Sequence, residues 1–104
     1  MNDKELANAV VALGVGQANP KGGSYYFDGP HSVSPDKFVR DPRVAMALME
    51  KARWGDWSKV PGTKKWIVKF YAETGELDKS LESKYGTDES LPRAIIEACT
   101  EALS

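Results

Sequence analysis

Apolar positions near the start of the chain recur at helical spacing. Leu6, Ala9, Val10 and Leu13 fall on one face behind the polar start Asn2-Asp3-Lys4-Glu5, which predicts an amphipathic helix over 2–13. Asn2 is a natural N-cap, Glu5 stands three residues on as in a capping box, and Gly14 is the expected stop. Residues 14–33 break this periodicity with Gly14, Gly16, Pro20, Gly22, Gly23, Gly29 and Pro30, the punctuation of loops. Inside that stretch Tyr25-Tyr26-Phe27 has high strand propensity and reads as a short strand or as an aromatic loop packed on the core.

A second helix is predicted over 41–53. Asp41 caps it, Pro42 suits its first position, and Val44, Ala45, Leu48, Met49 and Ala52 share a face. Lys51 and Arg53 complement the end of its dipole, and Gly55 is the expected stop. A short helical turn at 35–39 precedes it. A hairpin should follow, with strands at 57–60 and 66–71 around Pro61-Gly62. Pro then Gly suits the centre of a type II turn, but such turns splay strands, so a longer loop is expected. Trp66, Val68 and Phe70 alternate with Ile67, Lys69 and Tyr71, so both strand faces carry apolar residues and helices should cover both sides at least in part. Residues 73–89 are ambiguous, because the spacing of Leu77, Leu81 and Tyr85 fits a helix face and a strand face alike. The last helix begins at the N-cap Ser90, with Leu91 and Pro92 in its first turn and a stripe of Leu91, Ile95, Ala98 and Ala102. These elements predict a single domain over 1–104 of mixed α/β (α+β) class. It has three helices layered on an antiparallel sheet of about three strands.

Composition narrows the chemistry by exclusion. The 104 residues carry 14 Lys plus Arg against 15 Asp plus Glu, a net charge of -1, which excludes a strongly basic nucleic-acid protein and gives no reason to expect an anionic membrane partner. One cysteine, Cys99, cannot form an internal disulfide and fits a reducing cytosol. No apolar run reaches membrane-spanning length, and the polar start is unlike a signal peptide. One histidine, His31, rules out a multi-His zinc site, and no phosphate-binding or nucleophile-elbow motif is present.

Four features could carry function. His31 beside Asp28 has the makings of an oriented general base, but a Gly-Pro turn is the commoner reason for such a pair. Cys99 lies on an apolar helix stripe, where a buried, inert thiol is the commoner outcome. Trp54, Trp57, Lys59, Lys64, Lys65, Trp66, Lys69 and Tyr71 interleave aromatics with lysines around the hairpin. That pattern can stack bases and hold phosphates, although tryptophans usually fill the core and lysines usually guard sheet edges. Tyr25, Tyr26 and Phe27 could anchor a protein partner or lid the core. The lysines at 51, 59, 64, 65 and 69 also mean that charge is unevenly spread along a nearly neutral chain.

Several segments together resemble a known family. They are Asn2-Asp3-Lys4-Glu5-Leu6, Glu50-Lys51-Ala52-Arg53-Trp54-Gly55, Trp66-Ile67-Val68-Lys69-Phe70-Tyr71, and the closing Ser90-Leu91-Pro92-Arg93-Ala94-Ile95-Ile96-Glu97-Ala98-Cys99. In that order they resemble the small phage and prophage proteins of the phage ABA-sandwich domain. The Leu-Pro-x-Ala-Ile-x-x-Ala pattern is the distinctive stretch. Ile96 stands where some relatives carry a cysteine. The resemblance implies a three-layer α-β-α sandwich with a central antiparallel sheet, encoded on a phage genome. It implies no activity and assigns no functional residue. The expected role is therefore that of a small accessory protein in the bacterial cytoplasm, with no enzymatic activity, cofactor or metal, that binds a host or phage protein. The alternative is single-stranded nucleic-acid binding through 54–71. The candidate interaction surface is Tyr25, Tyr26, Trp54, Trp57, Lys64 and Lys65.

Overall fold

The computed structural model describes residues 2–51, 54–72 and 82–103, with side chains described at all of these except 54–57, 69–72, 82–85 and 87. The class is α+β, as the sequence predicts. Helix α1 spans Asp3–Ala12, and the Asn2 Oδ1 accepts from the Glu5 N–H at 2.8 Å, so one half of the expected capping box is in place. The ribbon β1 (Gln17–Ala18) and β2 (Tyr25–Tyr26) is antiparallel, and a bridge from Tyr25 to Val33 extends it. The aromatic triplet is thus strand at its first two positions. Helix α2 is the single turn Pro35–Phe38, and α3 runs Pro42–Lys51. Asp41 caps α3, its Oδ1 accepting from the Arg43 N–H at 2.9 Å.

The main sheet is antiparallel with order β3-β4-β5, formed by β3 (Trp54–Lys59), β4 (Trp66–Ala72) and β5 (Glu82–Asp88). Two boundaries differ from the sequence reading. Gly55 lies inside β3 opposite Phe70 instead of ending a helix, and the strand begins at Trp54 instead of Trp57. The ambiguous 73–89 stretch is a strand over 82–88, while residues 73–81 lie outside the described residues. Helix α4 (Leu91–Leu103) completes the chain order. Among the described residues, counting the ribbon, five strands and four helices stand where about three of each were expected.

Among the described residues the layers run sheet, then α4, then α1 and α3. The sequence reading puts the sheet in the middle; here the middle layer is α4. The reason is the composition of α4. Ala94, Ile95, Ile96, Ala98, Cys99 and Thr100 are all buried, so this helix is apolar around most of its girth and must be covered on more than one side. Leu6, Val10, Phe38, Val39, Val44, Leu48 and Val68 complete the core around it.

Gly86 sets how closely sheet and helix approach. It pairs with Val68 in the ladder. A Cβ placed on it would stand 2.0 Å from the Ala94 carbonyl oxygen and 2.9 Å from the Ala98 nitrogen. A glycine inside a strand often marks such a close backbone approach.

An ion-pair cluster ties the layers together. Arg93 is 9% exposed. Its Nε donates to Asp3 Oδ1 at 2.9 Å, and its Nη1 donates to Asp88 Oδ2 at 3.2 Å and to Glu97 Oε2. Arg40 reaches the other Asp3 oxygen at 2.9 Å. The start of α1, the end of β5 and the first turns of α4 therefore meet at one guanidinium, whose fork suits several carboxylates at once. The Arg40 hydrogen bond, then that of Arg93, hold the Asp3 carboxyl below its ordinary value. Burial pushes Glu97 up despite Arg93 beside it.

Candidate functional site

The candidate residues of the sequence analysis fall into two separate places. Trp54, Trp57, Lys64 and Lys65 belong to the β3–β4 hairpin, and Tyr25 and Tyr26 to the β1–β2 ribbon.

Tyr25 is not part of any surface. It is 3% exposed, its ring stacks on Phe38 at 5.2 Å between centroids, and its hydroxyl donates to Asn8 Oδ1. The core claims the ring because strand alternation turns Tyr25 inward, and the hydroxyl finds a partner on α1 as a buried tyrosine requires. Tyr26 is half-buried and lines an open cleft of about 380 Å³ with Gly14, Gly16, Gln17, Phe27, Asp28 and Gly29. The Arg43 guanidinium lies 5.4 Å from the centre of the Phe27 ring, within cation–π range.

The hairpin tip is well defined. The Val60 carbonyl accepts from the Thr63 N–H at 3.2 Å, and Gly62 has φ +76°. This is the type II turn that Pro61-Gly62 predicts, with the positive φ at its third position. The Val60 N–H donates to the Lys65 carbonyl at 2.9 Å, so the loop is longer than two residues, as expected. The Thr63 hydroxyl donates to the Val60 carbonyl at 3.0 Å and accepts from the Lys65 N–H at 3.2 Å. These bonds hold the tip in one shape. Lys59, Lys64 and Lys65 are exposed on it. Trp66 is half-buried against the core, with the Lys59 ammonium 5.9 Å from its ring centre. The chain has no acidic residue between Asp56 and Glu73, so the tip is a compact positive knob on a molecule of net charge -1. Trp54 and Trp57 occupy β3 opposite Tyr71 and Val68; their side chains lie outside the described ones.

The remaining candidates are plain. His31 and Asp28 are both exposed, and among the described residues no hydrogen bond joins them. Cys99 is fully buried in α4, and burial pushes its thiol up to about 12. Such a thiol stays protonated and unreactive at neutral pH. Among the described residues no group of three His, Cys, Asp or Glu side chains is placed to hold a metal, and no helix is long and apolar enough to cross a membrane. Sequence reasoning missed the cleft. Its walls come from segments about ten residues apart that only the β1–β2 pairing brings together, and the cluster of glycines was the one available sign.

Comparison with protein-family models, with curated proteins and with solved structures yielded no match.

Proposed function

We propose that the protein acts by binding, as an accessory protein of phage origin in the bacterial cytoplasm, and that it docks the β3–β4 hairpin tip on an acidic face of a host or phage protein. The observation that carries this reading is the preorganised tip. Three exposed lysines project from a turn fixed by four hydrogen bonds. A rigid presentation of charge lowers the ordering cost of association and steers an acidic partner. Phage origin rests on the resemblance of the segments quoted above.

A second reading uses the same tip for single-stranded nucleic acid. The Lys59 ammonium over the half-buried Trp66 ring favours it, because lysine beside an aromatic is the pairing that holds a phosphate next to a stacked base.

Both readings meet one experiment. Wild type and the Lys64→Glu/Lys65→Glu variant are used to capture partners from phage-infected host lysate, at low salt and at high salt. The protein-binding reading expects a protein retained by wild type at low salt, released by salt, and lost by the variant. Retention of the same proteins by both forms overturns it. An oligonucleotide titration decides the second reading: a complex that weakens steeply with salt supports it, and no complex at low salt ends it.

A further inference from the structure

We propose that the free edge of β3 pairs with β3 of a second copy of this chain. The two strands run antiparallel about a two-fold axis at Trp57, so that two three-stranded sheets join into one. The pairing uses the backbone of β3 and not the lysine side chains of the tip, so it does not rest on the proposed function.

The sheet order leaves β3 and β5 at the edges, and an edge strand offers unpaired peptide groups. The ladder fixes which groups these are. The Val60 N–H donates to the Lys65 carbonyl at 2.9 Å, so 60 and 65 form a hydrogen-bonded pair. By alternation, so do Ser58 with Ile67, Asp56 with Lys69 and Trp54 with Tyr71. The N–H and C=O groups of Gly55, Trp57 and Lys59 therefore point away from β4. Among the described residues no strand lies there to receive them. Strand β3 also lies at the margin of the helix layer: α4 packs chiefly on β4 and β5, and β3 chiefly on β4.

Self-pairing satisfies these groups in one register. Opposed residues of an antiparallel pair share a sheet face, so only slips of two residues are allowed. With Trp57 opposite Trp57 of the second copy, Gly55 meets Lys59, Asp56 meets Ser58 and Trp54 meets Val60. Every outward N–H and C=O of both strands then has a partner, and no like charges stand opposite. An aromatic pair sits at the axis, a favourable cross-strand combination. A slip one way opposes Asp56 to Asp56. A slip the other way sets Gly55 against Pro61, which has no N–H to give. The two Asp56 residues stand only diagonal in the favoured register, and each is opposite Lys69 in its own ladder.

The other edge lacks this self-complementarity. The outward residues of β5 are Ser83, Tyr85 and Thr87, by the same alternation. The register that matches them all opposes Glu82 to Asp88 of the second copy at both ends, and like charges directly opposite are destabilising. The β3 edge is thus the one suited to a closed two-fold interface.

The test is sedimentation equilibrium of the whole protein from low micromolar to near-millimolar concentration. A dimer of twice the 11.4 kDa chain mass is expected. Amide hydrogen exchange followed by NMR should slow at Gly55, Trp57 and Lys59 as the dimer forms. Ser58 is exposed, so replacing it spares the core, and circular dichroism checks that each variant is folded. Ser58→Lys sets opposite charges against Asp56 of the second copy at both symmetric places, and Ser58→Glu sets like charges there. Ser58→Lys should dimerise about tenfold or more tightly than Ser58→Glu, and high salt should narrow the gap. A wild type that stays monomeric throughout overturns the inference. So does a dimer whose Gly55, Trp57 and Lys59 amides exchange as freely as in the monomer, or equal dimerisation of the two folded variants.

Discussion

Replacing Gly86 by alanine puts two physical effects in direct opposition. Gly86 has an ordinary strand backbone, not the left-handed one, so alanine suits its conformation. By propensity alone the change should stabilise by roughly 0.5–1 kcal/mol, because glycine loses more freedom on folding. Packing says the reverse. The new Cβ would lie 2.0 Å from the Ala94 carbonyl oxygen and 3.0 Å from its carbon, more than an ångström inside contact distance. The obstacle is backbone within a helix, so no rotamer can relieve it, and α4 must move off β5. Overpacking typically costs about 1–3 kcal/mol, and a rigid obstacle belongs at the upper end. A net loss of about 2 kcal/mol is expected, a large share of the roughly 5–15 kcal/mol that holds a domain together. Urea unfolding followed by circular dichroism should show a lower midpoint at unchanged slope. A thermal midpoint lower by roughly 10 °C should accompany it. Adding Ala94→Gly should not rescue the variant, since the clash is with the peptide carbonyl and not with the Ala94 methyl. Gly86→Ala as stable as wild type, or rescue by Ala94→Gly, would refute the reasoning.

Other outcomes follow from the same structure. Thr100 is buried with its Oγ1 lacking a hydrogen-bond partner among the described groups, so Thr100→Val should raise stability by about 1 kcal/mol in urea unfolding; a clear loss would mean the hydroxyl is satisfied. Asp3→Asn should cost about 1 kcal/mol at pH 7. The carboxyl is held below its ordinary 3.8, so its contribution is present above that value and is lost as pH falls through the depressed folded value. Wild type and variant should therefore converge in acid, and a constant difference from pH 7 to pH 2 would contradict this. Glu97 acts in the opposite sense, its raised folded value favouring stability below its ordinary 4.5 that fades as pH rises. Native Cys99 should react with a thiol reagent at least about a thousandfold more slowly than in the urea-unfolded chain; labelling at the unfolded rate would show that α4 is not shielded.

The helices were largely legible because their signals are local. Asn2, Asp41 and Ser90 stand where caps are needed, and the apolar stripe behind each one has a helical period. Strand β5 was not legible, since Leu81 and Tyr85 satisfy both periods. What favours the strand is tertiary: Gly86 lets α4 lie against the sheet, and no local pattern announces that. Gly55 misled for a related reason, as a glycine after a helical pattern reads as a stop even when the next strand has already begun. The hairpin turn was written in Pro61-Gly62, and its lysines were visible at once. The fate of Tyr25 was not. A tyrosine serves a surface or a core equally well until its hydroxyl finds a partner, here Asn8 from 17 residues away. The layer order escaped for want of any sequence signal distinguishing a helix covered on one side from one covered on two, beyond the Ala and Ile content of α4.

That helix has a consequence for how the chain reaches its native state. In chain order α4 follows every other described element, yet α1, α3, β4 and β5 all pack against it, and Arg93 on it closes an ion pair with Asp3 across 90 positions. As the polypeptide leaves the ribosome, these elements emerge without their common partner. Collapse must wait for a contact of high sequence separation, which slows folding. Until then the uncovered faces of the earlier helices and strands are open to other chains. A nascent protein of this design would join its sheet to α1 and α3 only when residues 91–103 become free to dock.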